Sequence, residues 1–237
     1  MKLMRMPGII LRSLLALLPL IAVACGQGAV PRSEASARAS AREEGPQERL
    51  GASPRIVFLG DSLTAGLGLP REQAVPSLIQ ERLDADGLRY EVVNAGVSGD
   101  TSAGGLSRLD WSLEGDVAIL VIELGANDGL RGLQVSQMKR NLSEIVTRAK
   151  QRGIAVILTG MEAPPNYGPA YTAEFRQVFR DLADEHGVAL VPFYLEGVAG
   201  IPSLNSSDGI HPNAAGARVV AETLWRALEP VLETPDR

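Results

Sequence analysis

Hydrophobic positions follow two alternating patterns from residue 54 onwards. Short continuous runs rich in valine, isoleucine and leucine alternate with longer segments in which apolar residues recur at helical spacing. The short runs predict strands at residues 55–59, 90–94, 117–124, 154–159 and 188–192. The longer segments predict helices at residues 72–86, 135–152, 173–186 and 214–232. Strands that are apolar throughout are typical of parallel sheets covered on both faces, so the pattern predicts an α/β fold, a three-layer α/β/α sandwich with a five-stranded parallel sheet.

The first 25 residues have the pattern of a secretion signal. Basic residues precede an apolar run from Ser13 to Ala24, which is shorter than the roughly 20 residues that a membrane-spanning helix needs. The run ends at Cys25, the only cysteine of the chain, in a setting that resembles a bacterial lipobox. We predict a signal peptide of the lipoprotein type over residues 1–25, with Cys25 lipidated and the protein anchored to a membrane in the cell envelope (periplasm). The alternative is an ordinary cleavable signal with an incidental cysteine.

The next segment, residues 26–53, is rich in alanine, serine, arginine, glutamate, glutamine and glycine and has almost no large apolar residues. Such a segment buries too little surface to offset the entropy lost on ordering, so we predict a flexible linker. The folded domain is therefore predicted to occupy residues 54–237.

Composition narrows the range of functions. A formal net charge of −5 and an aromatic content of 4% disfavour nucleic acid as a partner, because nucleic-acid binding uses basic patches and stacking side chains. A single cysteine excludes an intrachain disulfide and any cysteine-cluster metal site. The only histidines are His186 and His211, so any histidine-dependent chemistry must use one of them. We expect neither a metal nor a cofactor.

Small polar residues gather at the carboxyl ends of the predicted strands, where ligands bind in open parallel sheets. The first strand leads into Gly60, Asp61 and Ser62. The second and third lead into residues 94–102 and 124–132, and the last lies upstream of residues 206–216. Turn chemistry explains much of this composition, but it does not explain why these loops also carry a serine, an asparagine and an Asp-x-x-His.

These loops contain the groups that acyl transfer requires. A serine hydroxyl needs a base to take its proton, the base needs a carboxylate to fix its tautomer, and the oxyanion needs N–H donors. Ser62, His211 and Asp208 can supply the nucleophile, the base and the carboxylate. The backbone N–H of Ser62 and of Gly99, together with the Asn127 amide, can supply the donors.

Four sequence blocks resemble those of the GDSL-like SGNH hydrolases, and they occur in that family's order: "GDSLTAG", "NAGVSGDTSAGGLSRL", "LGANDGLRG" and "DGIHPNAAG". Within the superfamily, "ELGANDGLRG" and "PPNYGPAY" are similar to the secreted acyl-CoA thioesterase, arylesterase and lysophospholipase group. The resemblance implies a flavodoxin-like fold and a carboxylic ester or thioester substrate. It also implies a Ser62–His211–Asp208 triad with Gly99 and Asn127 in the oxyanion hole.

Other interpretations remain open at the level of sequence. The first is a carbohydrate O-acetylesterase, the second a non-catalytic lipid-binding lipoprotein, and the third a flavodoxin-like phosphate or flavin binder. Asp61 in the first loop disfavours the third, because an acid there repels phosphate. His186 lies at a predicted helix end, where we expect a structural role. Asp61 and Asp128 are expected to accept hydrogen bonds from the backbone rather than to bind a metal.

Overall fold

A computed structural model describes residues 53–232, and its centre is a five-stranded parallel sheet with strand order β2-β1-β3-β4-β5. The strands are β1 (Arg55–Gly60), β2 (Glu91–Gly96), β3 (Val117–Glu123), β4 (Ala155–Thr159) and β5 (Ala189–Val191). Every neighbouring pair is parallel, which confirms the predicted α/β class. The predicted signal peptide lies outside the described residues, as does the predicted linker apart from residue 53.

The four predicted helices are present with shifted ends. They are α2 (Val75–Ala85), α6 (Val135–Gln151), α7 (Pro169–His186) and α8 (Ala214–Leu232). α7 begins four residues earlier than predicted, because Pro169 occupies its first position, where a missing N–H has no cost. α2 begins later than predicted, because the 3₁₀ turn Arg71–Gln73 precedes it. Among residues 53–232, no helix combines the length and apolar character that a membrane span requires.

Four short helices lie in the loops and were not predicted. They are α1 (Ser62–Ala65), α3 (Ser102–Ser107), α4 (Leu109–Ser112) and α5 (Ala126–Leu130). Each is too short to show a helical period in the sequence. Three of them, α1, α3 and α5, follow the carboxyl ends of β1, β2 and β3, so they determine the geometry of the candidate site.

The core is built on both faces of the sheet. In β3, Leu120, Val121 and Ile122 are all completely buried, so successive side chains on opposite faces are covered. Because crossovers between parallel strands are right-handed, this strand order is expected to put the helix after β1 on one face and the helices after β3 and β4 on the other. Accordingly α2 packs on α8, and α6 packs on α7. These two helix pairs are the outer layers of the sandwich.

The strand register aligns the loops that carry the candidate site residues. Gly60 at the end of β1 is paired with Gly96 of β2 on one side and with Glu123 of β3 on the other. A Cβ at Gly96 would lie 2.3 Å from the backbone nitrogen of Ala65, so only glycine lets α1 pack this closely on β2. Three loops therefore leave the sheet side by side.

The central strand should carry much of the stability. We expect Leu120→Ala to lower the free energy of unfolding by about 2–5 kcal/mol, because the residue is fully buried and the cavity collapses only partly. As a control, Leu88→Ala at a position 36% exposed should cost less than about 1 kcal/mol. Urea unfolding followed by circular dichroism measures both values, and equal losses would contradict this account of the core.

Candidate active site

Ser62 lies at the sharp transition from β1 to α1. Asp61 is the N-cap of the helix, and its Oδ1 accepts a hydrogen bond from the Leu63 N–H at 3.0 Å. Ser62 is the first helical residue, where backbone N–H groups have no partner within the helix. The short helix ends at Gly66, whose φ of 76° is left-handed. The turn therefore presents the Ser62 hydroxyl, and the Ser62 N–H, unlike that of Leu63, is not used in capping the helix.

His211 lies beside this hydroxyl, although 149 residues separate it from Ser62 in the chain. The Ser62 Oγ and His211 Nε2 atoms are 2.8 Å apart. The other ring nitrogen, Nδ1, is 2.7 Å from Asp208 Oδ2. The carboxylate favours the tautomer that carries a proton on Nδ1 and leaves Nε2 free to accept one. The structure thus brings Ser62, His211 and Asp208 together in one hydrogen-bonded row, as the sequence predicted.

Asp208 is held as a carboxylate by its own loop. Its Oδ1 accepts from the backbone N–H groups of His211 at 3.0 Å and Ile210 at 2.9 Å. These backbone hydrogen bonds, followed by the bond to the imidazole, lower the pKa of Asp208 from 3.8 to about 2. The carboxyl is therefore ionised at any pH at which the imidazole could act as a base.

The histidine loop is fixed at both ends. The Ser206 N–H donates to the His211 carbonyl at 2.7 Å, and Asn205 forms an isolated antiparallel bridge with Pro212. At the next residue, the Asn213 Oδ1 accepts from the N–H groups of Ala215 and Gly216 at the start of α8. The backbone at His211 is therefore fixed by the β-bridge at Pro212 and by the Asn213 cap of α8.

The Gly99 loop is a tight turn held by two arginines. The Asp100 N–H donates to the Val97 carbonyl at 3.0 Å, and Gly99 has a left-handed φ of 85°. The Gly99 carbonyl accepts from the Arg131 Nη2 at 2.7 Å. Asp100 forms an ion pair with Arg108 at 2.6 Å. The turn is therefore tied to the loop after β3 as well as to the sheet.

Arg108 links two backbone carbonyls and one carboxylate at the strand ends. Besides its contact with Asp100, it donates to the carbonyl of Gly60 at 2.9 Å and to that of Ala95 at 2.6 Å. Its side chain and that of Asp100 are 17% and 18% exposed, so the pair is largely shielded from solvent. A guanidinium offers several donors in one plane, which suits it to this bridging position.

Asn127 and Asp128 occupy the start of α5. The Asn127 Nδ2 donates to Asp61 Oδ2 at 2.8 Å, so this amide lies next to the nucleophile turn. Asp128 accepts from the backbone N–H and the hydroxyl of Ser102, each at 2.7 Å. Asp61 and Asp128 are thus both occupied as hydrogen-bond acceptors. The loops that follow β1, β2 and β3 are cross-linked by these contacts.

One buried acid was missed by the sequence reasoning. Glu123 at the end of β3 is fully buried, and its Oε2 accepts from the Asp61 N–H at 3.2 Å and the Thr64 hydroxyl at 2.9 Å. Its Oε1 has no hydrogen-bond partner in the described residues. Burial, and then the negative charge of Asp61, raise the pKa of Glu123 well above its ordinary value. The signal was present in the sequence as a single acid inside an otherwise apolar strand.

His186 has a different environment from His211. It lies at the carboxyl end of α7, where its Nε2 is 2.9 Å from the Ser143 hydroxyl. Its carbonyl accepts a hydrogen bond from Lys150. These contacts join the carboxyl end of α7 to the second half of α6, in line with the structural role expected from the sequence.

Apolar side chains surround the Ser62–His211 pair. A cavity of about 10 Å³ next to Ser62 is lined by apolar residues together with Tyr194 and His211. Exposed apolar residues also occur in the segments that follow the strand ends, and we call this set the apolar rim: Leu67, Val97, Leu130, Tyr167 and Ile210, each 41–48% exposed. Two members of this set are in direct contact, since the Tyr167 hydroxyl donates to the Leu130 carbonyl at 3.0 Å.

Comparison with known proteins identifies the family. The model of the GDSL-like lipase/acylhydrolase family matches residues 58–219. Esterase TesA of Pseudomonas aeruginosa is 46% identical over 182 residues, which cover 76% of this chain and 90% of that protein. Thioesterase 1/protease 1/lysophospholipase L1 of Escherichia coli K12 is 36% identical over 185 residues, which cover 78% and 88% respectively.

A solved structure gives the same result for the fold. The psychrotrophic esterase EstA from Pseudoalteromonas sp., in a structure inhibited by monoethylphosphonate, superposes with a TM-score of 0.73 at 34% identity. The match covers 77% of this chain and all of EstA. These findings confirm the resemblance indicated by the four sequence blocks. The chain therefore belongs to the GDSL-like lipase/acylhydrolase family, a family of ester-bond hydrolases.

Proposed function

We propose that this protein is a serine esterase that hydrolyses carboxylic ester or thioester bonds through Ser62, His211 and Asp208. The observation that carries the proposal is the continuous row of hydrogen bonds from the Ser62 hydroxyl through the imidazole to the Asp208 carboxylate. A non-catalytic lipid carrier would have no use for an oriented base beside a serine. The family match supports an enzyme rather than a carrier.

The geometry performs the reaction in two steps. His211 Nε2 takes the Ser62 proton as Oγ attacks the substrate carbonyl, and the resulting imidazolium then donates that proton to the departing alkoxide or thiolate. The acyl group remains on Ser62 as an ester. Water then gives a proton to Nε2 as it attacks the acyl carbonyl. Collapse of this second intermediate releases the acid and returns the proton to Ser62 Oγ.

Each attack places negative charge on the carbonyl oxygen. We assign its stabilisation to the N–H groups of Ser62 and Gly99 and to the amide of Asn127. Ser62 is the first residue of α1, Gly99 is fixed by Arg131, and Asn127 is fixed by Asp61. Donors that are already held in place cost no reorganisation when the charge develops, and each contributes about 10²–10³ in rate.

The apolar rim supports an acyl substrate with hydrocarbon character. The cavity beside Ser62, at about 10 Å³, holds little more than a water or a methyl group. A longer acyl chain must therefore lie across the exposed rim residues such as Leu67, Leu130 and Tyr167. The relatives named esterase and thioesterase fit such substrates.

The small cavity also favours a second candidate, an O-acetylesterase acting on carbohydrate. The methyl group of an acetyl ester would fit the cavity, whereas the apolar rim is a poor surface for a sugar. A panel of acetylated sugars, aryl esters and acyl-CoA thioesters of increasing chain length separates the two candidates. We expect aryl esters or thioesters to give the higher kcat/KM, and a preference for acetylated sugars would favour the second candidate.

Removing the nucleophile should abolish turnover. We expect Ser62→Ala to lower kcat for an aryl ester by about 10⁴-fold or more, because no hydroxyl remains to form the acyl-enzyme. Ser143→Ala is a matched control, since Ser143 also lies within hydrogen-bonding distance of a histidine, His186. A chromogenic ester assay measures both variants. Undiminished turnover in Ser62→Ala would refute the proposed function.

Removing the Asp208 carboxylate should slow the reaction without preventing binding. We expect Asp208→Asn to reduce kcat by about 10²–10⁴-fold with little change in KM, because the imidazole loses its orienting acceptor.

The same variant should also lose an acid-sensitive contribution to stability. Folding lowers the pKa of Asp208 from 3.8 to about 2. The ionised carboxylate therefore stabilises the fold at pH values above 3.8, and this stabilisation is lost as the pH falls to about 2.

Thermal melting at several pH values tests this second effect. The Tm of the wild type should exceed that of Asp208→Asn above about pH 4, and the difference should shrink as the pH approaches 2. A difference in Tm that stays constant over this range would contradict the proposed state of Asp208.

We further propose an envelope location with a lipid anchor at Cys25. The proposal rests on the basic start, the short apolar run and the single cysteine within residues 1–25, which lie outside the described residues. The matches to known proteins do not bear on lipidation. Residues 26–53 would then be a tether between the membrane and the enzyme.

Detergent partitioning tests the anchor. Wild-type protein produced in a bacterial host should partition into the detergent phase of Triton X-114, because an acyl chain attached to Cys25 would enter the micelles. The Cys25→Ser variant should remain in the aqueous phase. The esterase activity of the two proteins in lysates serves as a control for folding. Equal partitioning of both proteins would eliminate the anchor.

A further inference from the structure

We propose that Asp61 is a positioning residue for the oxyanion hole, whose carboxylate holds the Asn127 amide so that its second N–H faces the carbonyl oxygen being attacked. This inference rests on the proposed function. It gives Asp61, which directly precedes Ser62, a second role besides capping α1.

The two carboxylate oxygens of Asp61 have separate partners. Oδ1 accepts from the Leu63 N–H at 3.0 Å, which caps α1. Oδ2 accepts from the Asn127 Nδ2 at 2.8 Å. The side chain is only 1% exposed, so water does not compete for either oxygen. One side chain therefore fixes both the nucleophile turn and the amide that would stabilise the oxyanion.

A carboxylate suits this position because it can only accept hydrogen bonds. The Asn127 amide has an oxygen at one end and two N–H donors at the other, and rotation about its last side-chain bond exchanges the two ends. An obligatory acceptor next to it selects the N–H₂ end. Once one N–H is bound to Asp61, the second is directed elsewhere at a fixed angle. Without the acceptor, the carbonyl end of the amide could turn toward the oxyanion and repel it.

Neighbouring groups oppose the protonation of Asp61 that burial favours. Burial raises the pKa of Asp61 above its ordinary value, and hydrogen bonds with Leu63, Glu123 and Asn127 together with the nearby His211 limit that rise. Glu123 lies beneath it with one orphaned carboxyl oxygen and no cation partner in the described residues. Burial and the charge of Asp61 raise the pKa of Glu123 well above its ordinary value, further than the pKa of Asp61 is raised, so Asp61 is the first of the two acids to ionise.

Asp61→Asn separates the two contacts of this side chain. Asparagine is as good an N-cap as aspartate, so the bond from Leu63 and the start of α1 should survive. The oxygen that faces Asn127, however, would be replaced by an N–H₂ group. Two N–H₂ groups cannot bond to each other, so the Asn127 amide must flip or move away.

A double-mutant cycle with Asn127→Ala tests the proposal. We expect Asp61→Asn alone to lower kcat for an aryl ester by about 10²–10³-fold with KM changed less than about threefold, since an oxyanion donor acts mainly in the transition state. In the Asn127→Ala background, the same substitution should lower kcat by less than about threefold, because the amide through which it acts is gone. Far-UV circular dichroism and Tm confirm folding of each variant.

Asp181→Asn is a matched control. Asp181 lies on α7, and its Oδ1 accepts a side-chain amide N–H from Gln177 at 2.9 Å, so the substitution makes the same chemical change outside the candidate site. Its kcat should equal that of the wild type. A comparable loss of kcat in this control would show that the effect is not specific to the oxyanion hole, and would overturn the proposal.

The outcomes distinguish the inference from the proposed function. If Asn127→Ala lowers kcat and Asp61→Asn lowers it by the same further factor in that background, the two residues act independently and the inference fails alone. If Asn127→Ala leaves kcat unchanged, the proposed oxyanion hole itself fails. Should Asp61→Asn not fold, Asp61→Ser retains a capping hydroxyl and repeats the cycle. If neither variant folds, Asp61 is a structural residue and the inference is overturned.

Discussion

The hydrogen bond between the Ser62 hydroxyl and His211 Nε2, 2.8 Å long, is the contact on which the site depends. It joins the first loop of the domain to the last, across 149 residues of chain. Neither loop could place its side chain alone. The parallel sheet brings the loops to the same edge, because all five strands end there, and the order β2-β1-β3-β4-β5 puts β1 between β2 and β3.

Polar side-chain contacts at the strand ends then fix the loops after β1, β2 and β3 relative to one another. Arg108 ties β1, β2 and the Gly99 turn together, Asp128 joins α5 to α3, and Asp61 joins the nucleophile turn to Asn127. Most of these contacts are buried or half-buried and involve a charged partner, which makes them shorter and stronger than neutral hydrogen bonds. Such a rigid set of loops suits acyl transfer, because the hydrogen-bond donors must already be in place when negative charge develops on the substrate carbonyl oxygen.

The sequence pattern predicted the parallel sheet and the four long helices, since each has a clear hydrophobic period. It could not predict α1, α3, α4 and α5, which are too short for a period and depend on caps such as Asp61 and Thr101. The roles suggested for Ser62, Asp208 and His211 came from residue chemistry and block order, and the structure places these residues in contact. The contact of Asp61 with Asn127 and the contacts of Arg108 were beyond prediction, because they join residues from the loops after different strands. Glu123 was overlooked in a run interpreted only as apolar.

The central claim is that Ser62 is the nucleophile and that His211 activates it. Labelling with a fluorophosphonate followed by peptide mapping tests this most directly, because the reagent forms a stable bond only with an activated serine. The account predicts a single adduct on Ser62 in the wild-type protein and strongly reduced labelling in His211→Ala. An adduct on a different serine, or labelling of Ser62 that is undiminished in His211→Ala, would contradict it.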